Sequence, residues 1–279
     1  METQIDLLRA CDVSSAQSLV EIAGWNQLPA DWLRLLTREP RGCFKATAAG
    51  RLLGTATTIV YGTELAWIGM MLVHPDARRQ GIGTQLMRHA IDSLLAQGVK
   101  SIALDATPAG RPLYEQLGFK VSAEWQRWSR VTGEGISAAP SQEEVELASV
   151  HSLVSSHREL DYSAFGVDRW TWIERLAEVS HVVASGHGFG LLRTGRTANY
   201  LGPVIADDAA QAEILIQGLL QRPLGPCLWD VPPGNAPAES LAKQFGFQPA
   251  RVLYRMWLHQ PCPTGQPSSV FAICDPATG

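Results

Sequence analysis

The sequence predicts an α/β (α+β) fold built as two successive units, on the strength of three observations. First, an apolar strand, Leu65 to Val73, runs through a short basic turn bearing Gly81 and Gly83 straight into an amphipathic helix. Strand and helix patterns that alternate in this way belong to sheets flanked by helices. Second, a chain of 279 residues is long for one compact domain and suits two, at about 100 to 200 residues each. Third, the chain repeats itself: Leu241-Ala-Lys-Gln-Phe-Gly-Phe-Gln248 stands 128 positions after Leu113-Tyr-Glu-Gln-Leu-Gly-Phe-Lys120, and Arg255 falls on Arg127 at the same offset.

Taken in order, Asp12 is the expected N-cap of a first helix over Ser15 to Ala23, and Pro29 suits the first turn of a second helix through Asp31, Trp32, Leu35 and Leu36. Trp25, Asn26 and Gln27 fall in the loop between them. Cys43 to Ala48 and Leu52 to Tyr61 read as a hairpin turning at Gly50. A helix from Gly83 to Gln97 is stopped by Gly98 in the C′ position. Strand Ser101 to Asp105 and a helix and turn from Leu113 to Phe119 complete the first unit. The small, polar stretch Val131 to Ser141 reads as a linker, dividing the chain into residues 1–130, a linker over 131–142 and residues 143–279. In the second unit Cys227 to Asp230 matches Ile102 to Asp105, and Leu201 to Asp208 matches Ile68 to Pro75.

Composition excludes several classes. Net charge is −4 with a pI near 6.0, and no basic cluster stands out beyond Arg78-Arg79, so no nucleic-acid partner is expected. No apolar run approaches the roughly 20 residues of a membrane helix, and Met1 to Asp12 lacks a signal-peptide core. A soluble cytoplasmic protein with no membrane partner is expected. Cys11, Cys43, Cys227, Cys262 and Cys274 are scattered without C-x-x-C or matching histidine spacing, which reads as small buried hydrophobes with neither metal nor disulfide framework.

The turn before the long helix is an anion cradle. Gly81 and Gly83 admit close backbone approach, the helix start presents unpaired N–H groups, and Arg78 and Arg79 add full charge. Together with Leu-Tyr-Glu-x-Leu-Gly-Phe about thirty residues on, this segment resembles the acetyl-CoA motif of the GNAT N-acetyltransferases. That motif reads Gln/Arg-x-x-Gly-x-Gly/Ala, with Arg78, Gly81 and Gly83 at its fixed positions. The whole chain resembles two-domain GNAT proteins that pair an active N-terminal domain with a divergent C-terminal one, a likeness to which Tyr162 to Arg169 and Ala272 to Asp275 contribute.

The resemblance implies tandem GNAT folds, each a mixed, mostly antiparallel splayed sheet flanked by helices. It implies acetyl-CoA as co-substrate and no metal. Backbone of Met71, Leu72 and Val73, left unpaired at the splay, would take the pantetheine arm and face the thioester oxygen. Arg78, Arg79, Gln80, Gly81, Ile82, Gly83 and Thr84 would take the phosphates. In the second unit the loop has become Ala209-Ala-Gln-Ala-Glu213 and Tyr114 is matched by Ala242. That copy is expected neither to bind the cofactor nor to catalyse.

Tyr114 stands where the family places its general acid; a phenol with pKa ~10 is protonated at neutral pH and can donate to a thiolate whose conjugate acid is nearer ~8.5. Its competing reading is a ring packed in the core. An asparagine often stands seven positions earlier in the family, where this chain has Thr107. The base is open. Many relatives carry a glutamate where this chain reads Gly69-Met70-Met71, leaving Asp105, which also reads as a helix cap or turn acid, and Glu64. His74, before Pro75, reads as a turn residue.

Acceptor contacts are expected from Trp25, Asn26 and Gln27, Trp25 reading equally as core, and, across an interdomain cleft, from Tyr162, Phe165, Arg169 and Asp230. Arg169 would clamp a carboxylate or else pair with Asp168 or Glu174. The expected activity is acetyl transfer by direct attack of a primary amine of a small metabolite, in a monomer or homodimer. A protein or peptide N-acetyltransferase and a non-catalytic acyl-CoA sensor are the alternatives.

Overall fold

The computed structural model describes residues 3–131, 146–148, 153, 155–221, 225–262 and 265–279. Apart from Val131, the expected linker lies outside the described residues. The chain forms two compact units: Met1–Ser122 with Tyr254–Cys262 and Pro276–Gly279, and Ala123–Leu253 with Pro263–Asp275.

The first unit begins with β1 (Gln4–Leu7), α1 (Val13–Ile22) and α2 (Pro29–Arg38). Asp12 does precede α1, but its carboxylate takes the Arg9 N–H at 2.8 Å and Lys45 Nζ at 2.7 Å and does not cap the helix. Pro29 opens α2 as expected, where its missing N–H costs nothing. β2 (Cys43–Ala48) and β3 (Arg51–Tyr61) form a hairpin whose two turn residues, Ala49 at φ 50° and Gly50 at φ 75°, are both left-handed. Such a turn matches the twist of the strands it joins. β4 (Leu65–Val73) leads to α3 (Ile82–Ala96), β5 (Ser101–Ala106), α4 (Arg111–Gln116) and β6 (Lys120–Arg130). Past the end of α3, the Gly98 N–H bonds Leu95 O and the Val99 N–H bonds Leu94 O, with Gly98 at φ 77°. Those carbonyls would otherwise lack partners, so glycine at this place is structural.

In the sheet, β1 to β4 are antiparallel neighbours in order, and β4 pairs β5 in parallel. The apolar stripe of α3, including Leu86, Ala90 and Leu94, packs on Ala66, Ile68, Ile102 and Leu104, and Leu113 and Tyr114 of α4 join the same cluster. Side chains alternate along a strand, so Trp67 and Gly69 point to the other face. α1 contacts β3 and β4 and α2 contacts β3, and none of their residues joins the α3 cluster.

The second repeat runs through β7 (Glu146–Ala148), α5 (Ser155–Phe165), α6 (Trp170–Ala177), β8 (Ser180–Ser185), β9 (Gly188–Arg193), β10 (Asn199–Ala206), α7 (Ala209–Leu220), β11 (Cys227–Val231), α8 (Ala236–Gln244), β12 (Gln248–Leu258), whose residues from Tyr254 on belong to the first unit, and β13 (Val270–Ala272). Its ladder β7-β8-β9-β10 is antiparallel, β10 pairs β11 in parallel, and α7 packs Leu215, Ile216 and Leu219 beneath.

The last strand of each repeat pairs outside its own repeat. Gln126 to Arg130 of β6 pair with β11 in the second unit, while Tyr254 to Leu258 of β12 pair with β5 in the first. A cut at residue 130 therefore removes the strand that covers β5.

Candidate active site

β4 and β5 pair over only three positions, Leu65 with Ser101, Ala66 with Ile102 and Trp67 with Ala103. Beyond them β4 continues to Val73 and β5 to Ala106 without pairing each other, which opens a gap in the sheet. On its other side β4 pairs β3 with a register shift: Thr57 faces Gly69 and Thr55 faces Leu72, so Met70 and Met71 together oppose Ala56. This is a β-bulge, with Met70 in the left-handed region at φ 47° and its carbonyl accepting the buried Thr55 hydroxyl at 2.8 Å. Bulges re-aim backbone groups beside functional sites. Here one stands at the mouth of the gap.

β4 then delivers the chain to the glycine loop. Arg79 at φ 60° and Gly81 at φ 79° are left-handed, and Gly81 is the N-cap of α3. The N–H groups of Ile82, Gly83 and Thr84 lie in the first turn, where no intrahelical carbonyl exists for them. Arg78, Arg79 and Gln80 are exposed around that turn, Arg78 being held by Nε donation to Val73 O at 3.2 Å and Gln80 by donation to Asp76 O at 3.0 Å. A Cβ on Gly83 would lie 3.2 Å from Leu113 and 3.4 Å from Met71, so the residue must be small where α3, α4 and β4 meet. Backbone donors, helix dipole and two arginines suit a diphosphate, and the unpaired edge of β4 suits an extended amide-bearing arm.

Tyr114, on α4, is 8 % exposed, its ring edge-on to Phe119 at 6.2 Å. Burial raises its pKa above the ordinary phenol value, so the hydroxyl keeps its proton at neutral pH. Thr107 tightens the turn into α4, its hydroxyl and carbonyl accepting the Gly110 N–H at 3.2 and 3.0 Å. The side chain of Asp105 is fully buried and held by Arg255, whose Nε and Nη2 lie 3.1 and 2.9 Å from its two oxygens. The same guanidinium lies 4.7 Å from the Trp67 ring. Glu64 sits at the closed end of the β4–β5 pair, exposed and bonded to Lys100 at 2.7 Å, which with Thr63 lowers its pKa. His74 opens the turn after β4 and accepts from Asp76 N.

Trp25, Asn26 and Gln27 are half-buried between α1 and α2. Gln27 O accepts Gln17 Nε2 at 3.0 Å, while its side-chain oxygen is buried with no bond among the described residues. In the second unit Tyr162 is 55 % exposed. Arg169 does not pair with Asp168 or Glu174: it is buried against Asp161 at 3.1 Å and lies 3.7 Å over the Phe165 ring, Asp168 pairing Arg158 instead. Asp230 takes Arg127 at 2.6 and 2.5 Å and the Tyr200 hydroxyl at 2.6 Å. Arg169 and Asp230 thus hold buried ion pairs inside that unit.

The place of Arg255 beside Asp105, the bulge at Met70 and the close packing at Gly69 are not written in any local motif. The recurrence of Asp105/Arg127 as Asp230/Arg255 was the signal for the first: each repeat supplies the arginine that the other repeat's aspartate binds.

The model of the Acetyltransferase (GNAT) family matches residues 8–119, and that of an Acetyltransferase (GNAT) domain matches residues 157–272. An uncharacterized N-acetyltransferase of Bacillus subtilis, YitH, is 25 % identical over 247 residues, 84 % of each chain. The ribosomal protein bS18-alanine N-acetyltransferase of Escherichia coli is 38 % identical over 79 residues, which cover 27 % of this chain and 53 % of that enzyme. Among solved structures, a Pyrococcus horikoshii protein thought to be an acetyltransferase superposes with a TM-score of 0.85 at 24 % identity, covering 99 % of this chain and 96 % of that one. At that identity the likeness speaks for the fold alone.

Proposed function

The chain belongs to the GNAT acetyltransferase family and is an acyltransferase, and we propose that its first unit moves the acetyl group of acetyl-CoA to a primary amine of a small metabolite by direct attack. The observation that carries this reading is the open gap between β4 and β5, flanked by the bulge at Met70, the glycine loop at Gly81 and the protonated Tyr114. Bound acetyl-CoA supplies an activated thioester. Arg78, Arg79 and the first N–H groups of α3 hold its phosphates, and backbone at Met71 to Val73 holds its arm. The re-aimed Met71 N–H donates to the oxygen that gains charge when the amine attacks. Tyr114 gives its proton to the departing sulfur.

An alkylamine with pKa ~10.4 is about one part in 10³ to 10⁴ neutral at pH 7, so losing its proton is a large share of the work. Asp105 has both oxygens engaged by Arg255, which makes it a positioning group, and Glu64 stands at the wrong end of β4. The proton therefore leaves through water. A panel of amines incubated with acetyl-CoA and full-length protein tests the reading: transfer to small amines supports it, and acetyl-CoA binding without transfer to any amine overturns it. The likeness to the bS18-alanine enzyme favours, as a second reading, a polypeptide N-terminus as acceptor; peptides with a free N-terminal alanine belong in the same panel.

A further inference from the structure

On the face of the gap that α3 and α4 leave clear, the structure places a piece of the chain no motif announces. Pro276–Gly279 belong to the first unit. Pro276 O accepts the Trp67 indole N–H at 3.0 Å, and Thr278 O accepts the Tyr61 hydroxyl at 2.7 Å. Between these anchors Ala277 lies on Gly69, where a Cβ would meet Ala277 O at 2.3 Å and Ala277 Cα at 2.6 Å. Gly69 is the residue immediately before the bulge. It is glycine for lack of room, since its φ is not among the left-handed ones.

A second observation marks the same face. Thr57 is directly opposite Gly69 on β3, and directly opposed residues of an antiparallel pair point their side chains the same way. Its hydroxyl is buried and makes no hydrogen bond among the described residues. Buried hydroxyls are otherwise bonded, so one that is not calls for a partner such as water or ligand. The second unit carries the counterpart of the crossing: a Cβ on Gly202 would meet Ile273 O at 2.1 Å.

We propose that Pro276–Thr278 is the specificity-determining wall of the acceptor site, with Thr57 as a hydrogen-bonding group beside it. Ala277 fills the space over the strand just before the bulge, so the site admits slender amines and refuses the broad backbone of a polypeptide. The inference rests on the acetyl-transfer reading above and names the acceptor class for that site.

The test compares wild type with three full-length variants on one panel of alkyl, aryl and peptide amines. Gly69→Ala forces the wall outward, Ala277→Gly thins it, and Tyr61→Phe releases one anchor. The expected result is a change of about tenfold or more in relative kcat/KM between slender and bulky amines, roughly 1.4 kcal/mol, with acetyl-CoA Kd kept within about twofold. Ala277→Gly, the mildest change, should improve the bulkier amines and covers the case in which Gly69→Ala fails to fold. An unchanged ranking of amines in the folded variants overturns the wall while leaving the enzyme reading intact. No transfer by the wild type to any amine removes the enzyme reading and the wall with it.

Discussion

In both units the strand entering the long helix pairs in parallel with the strand leaving it over three residues: Leu65–Trp67 with Ser101–Ala103 in the first, Asn199–Leu201 with Cys227–Trp229 in the second. Beyond that point the units differ. In the first, β4 and β5 separate beside a glycine loop. In the second, β13 enters: Val204 and Ile205 pair with Ala272 and Val270, and the Ile273 N–H bonds Asp230 O at 3.1 Å on β11. The second unit thus fills with its own backbone the gap that the first leaves unpaired. Its helix start has changed to match, for Asp208 caps α7 by accepting the Gln211 N–H at 2.9 Å. A carboxylate in that place satisfies the helix and repels an anion. The two units thus share a frame and differ in whether the strands beside the long helix are left apart or bridged by a few residues of chain.

The largest expected effect separates the two helix starts. Gly81→Glu puts a side chain on a left-handed residue and a negative charge in the cradle, and should weaken acetyl-CoA binding by about 10³-fold or more, roughly 4 kcal/mol. The matching change Ala210→Glu in α7 should leave it unaltered. Calorimetry reads both; two acetyl-CoA sites per chain, or binding that survives Gly81→Glu, would break the comparison.

Next in size is Tyr114→Phe, which keeps the ring and deletes the proton. Turnover should fall by about 10² with acetyl-CoA affinity within a few-fold, as Ala242 in the second unit already lacks this group. Single-turnover rates equal to wild type would return Tyr114 to a packing role.

The reciprocal ion pairs sharpen the comparison from the side of stability. Arg255→Ala strips the guanidinium from buried Asp105 and Arg127→Ala does so at buried Asp230, and each should cost about 3 to 5 kcal/mol in denaturant unfolding. Since β12 completes the first sheet, a fragment ending at residue 130 should unfold far more readily than the whole chain. A fragment as stable as the full-length first unit would contradict the strand exchange.

Alkaline pH supplies the smallest effect. Burial raises the pKa of Tyr114, and burial followed by Asp230 and Asp275 raises that of Tyr200 well above the ordinary value. The folded chain keeps both protons when the unfolded chain releases them near pH ~10. Their contribution is therefore whole below that pH and declines above it, by up to about 1.4 kcal/mol per pH unit for each tyrosine. Phenylalanine at either position should flatten the alkaline limb of the stability profile; an unchanged limb in both variants would show that neither tyrosine is held this way.

What the sequence determined by itself is local. Loop glycines, helix stops and the Leu-x-x-x-x-Gly-Phe turns depend on neighbours a few residues away, so Gly98, Gly118 and Gly246 end their helices by the same pair of bonds, the N–H of the glycine and that of its successor each reaching back to a carbonyl of the last turn. The glycine turn into α3 was legible for that reason, and so was the absence of glycine from the matching turn at Ala209 to Glu213. The tertiary structure decided everything that depends on register between distant segments. The bulge at Met70 exists only against β3, Asp105 finds its partner 150 positions away, and the backbone that crosses Gly69 is that of Pro276 to Thr278. A carboxylate carries no mark of whether it will meet water or a guanidinium, and a glycine no mark of the backbone that crosses it; those are set by which strands lie side by side once the core has closed.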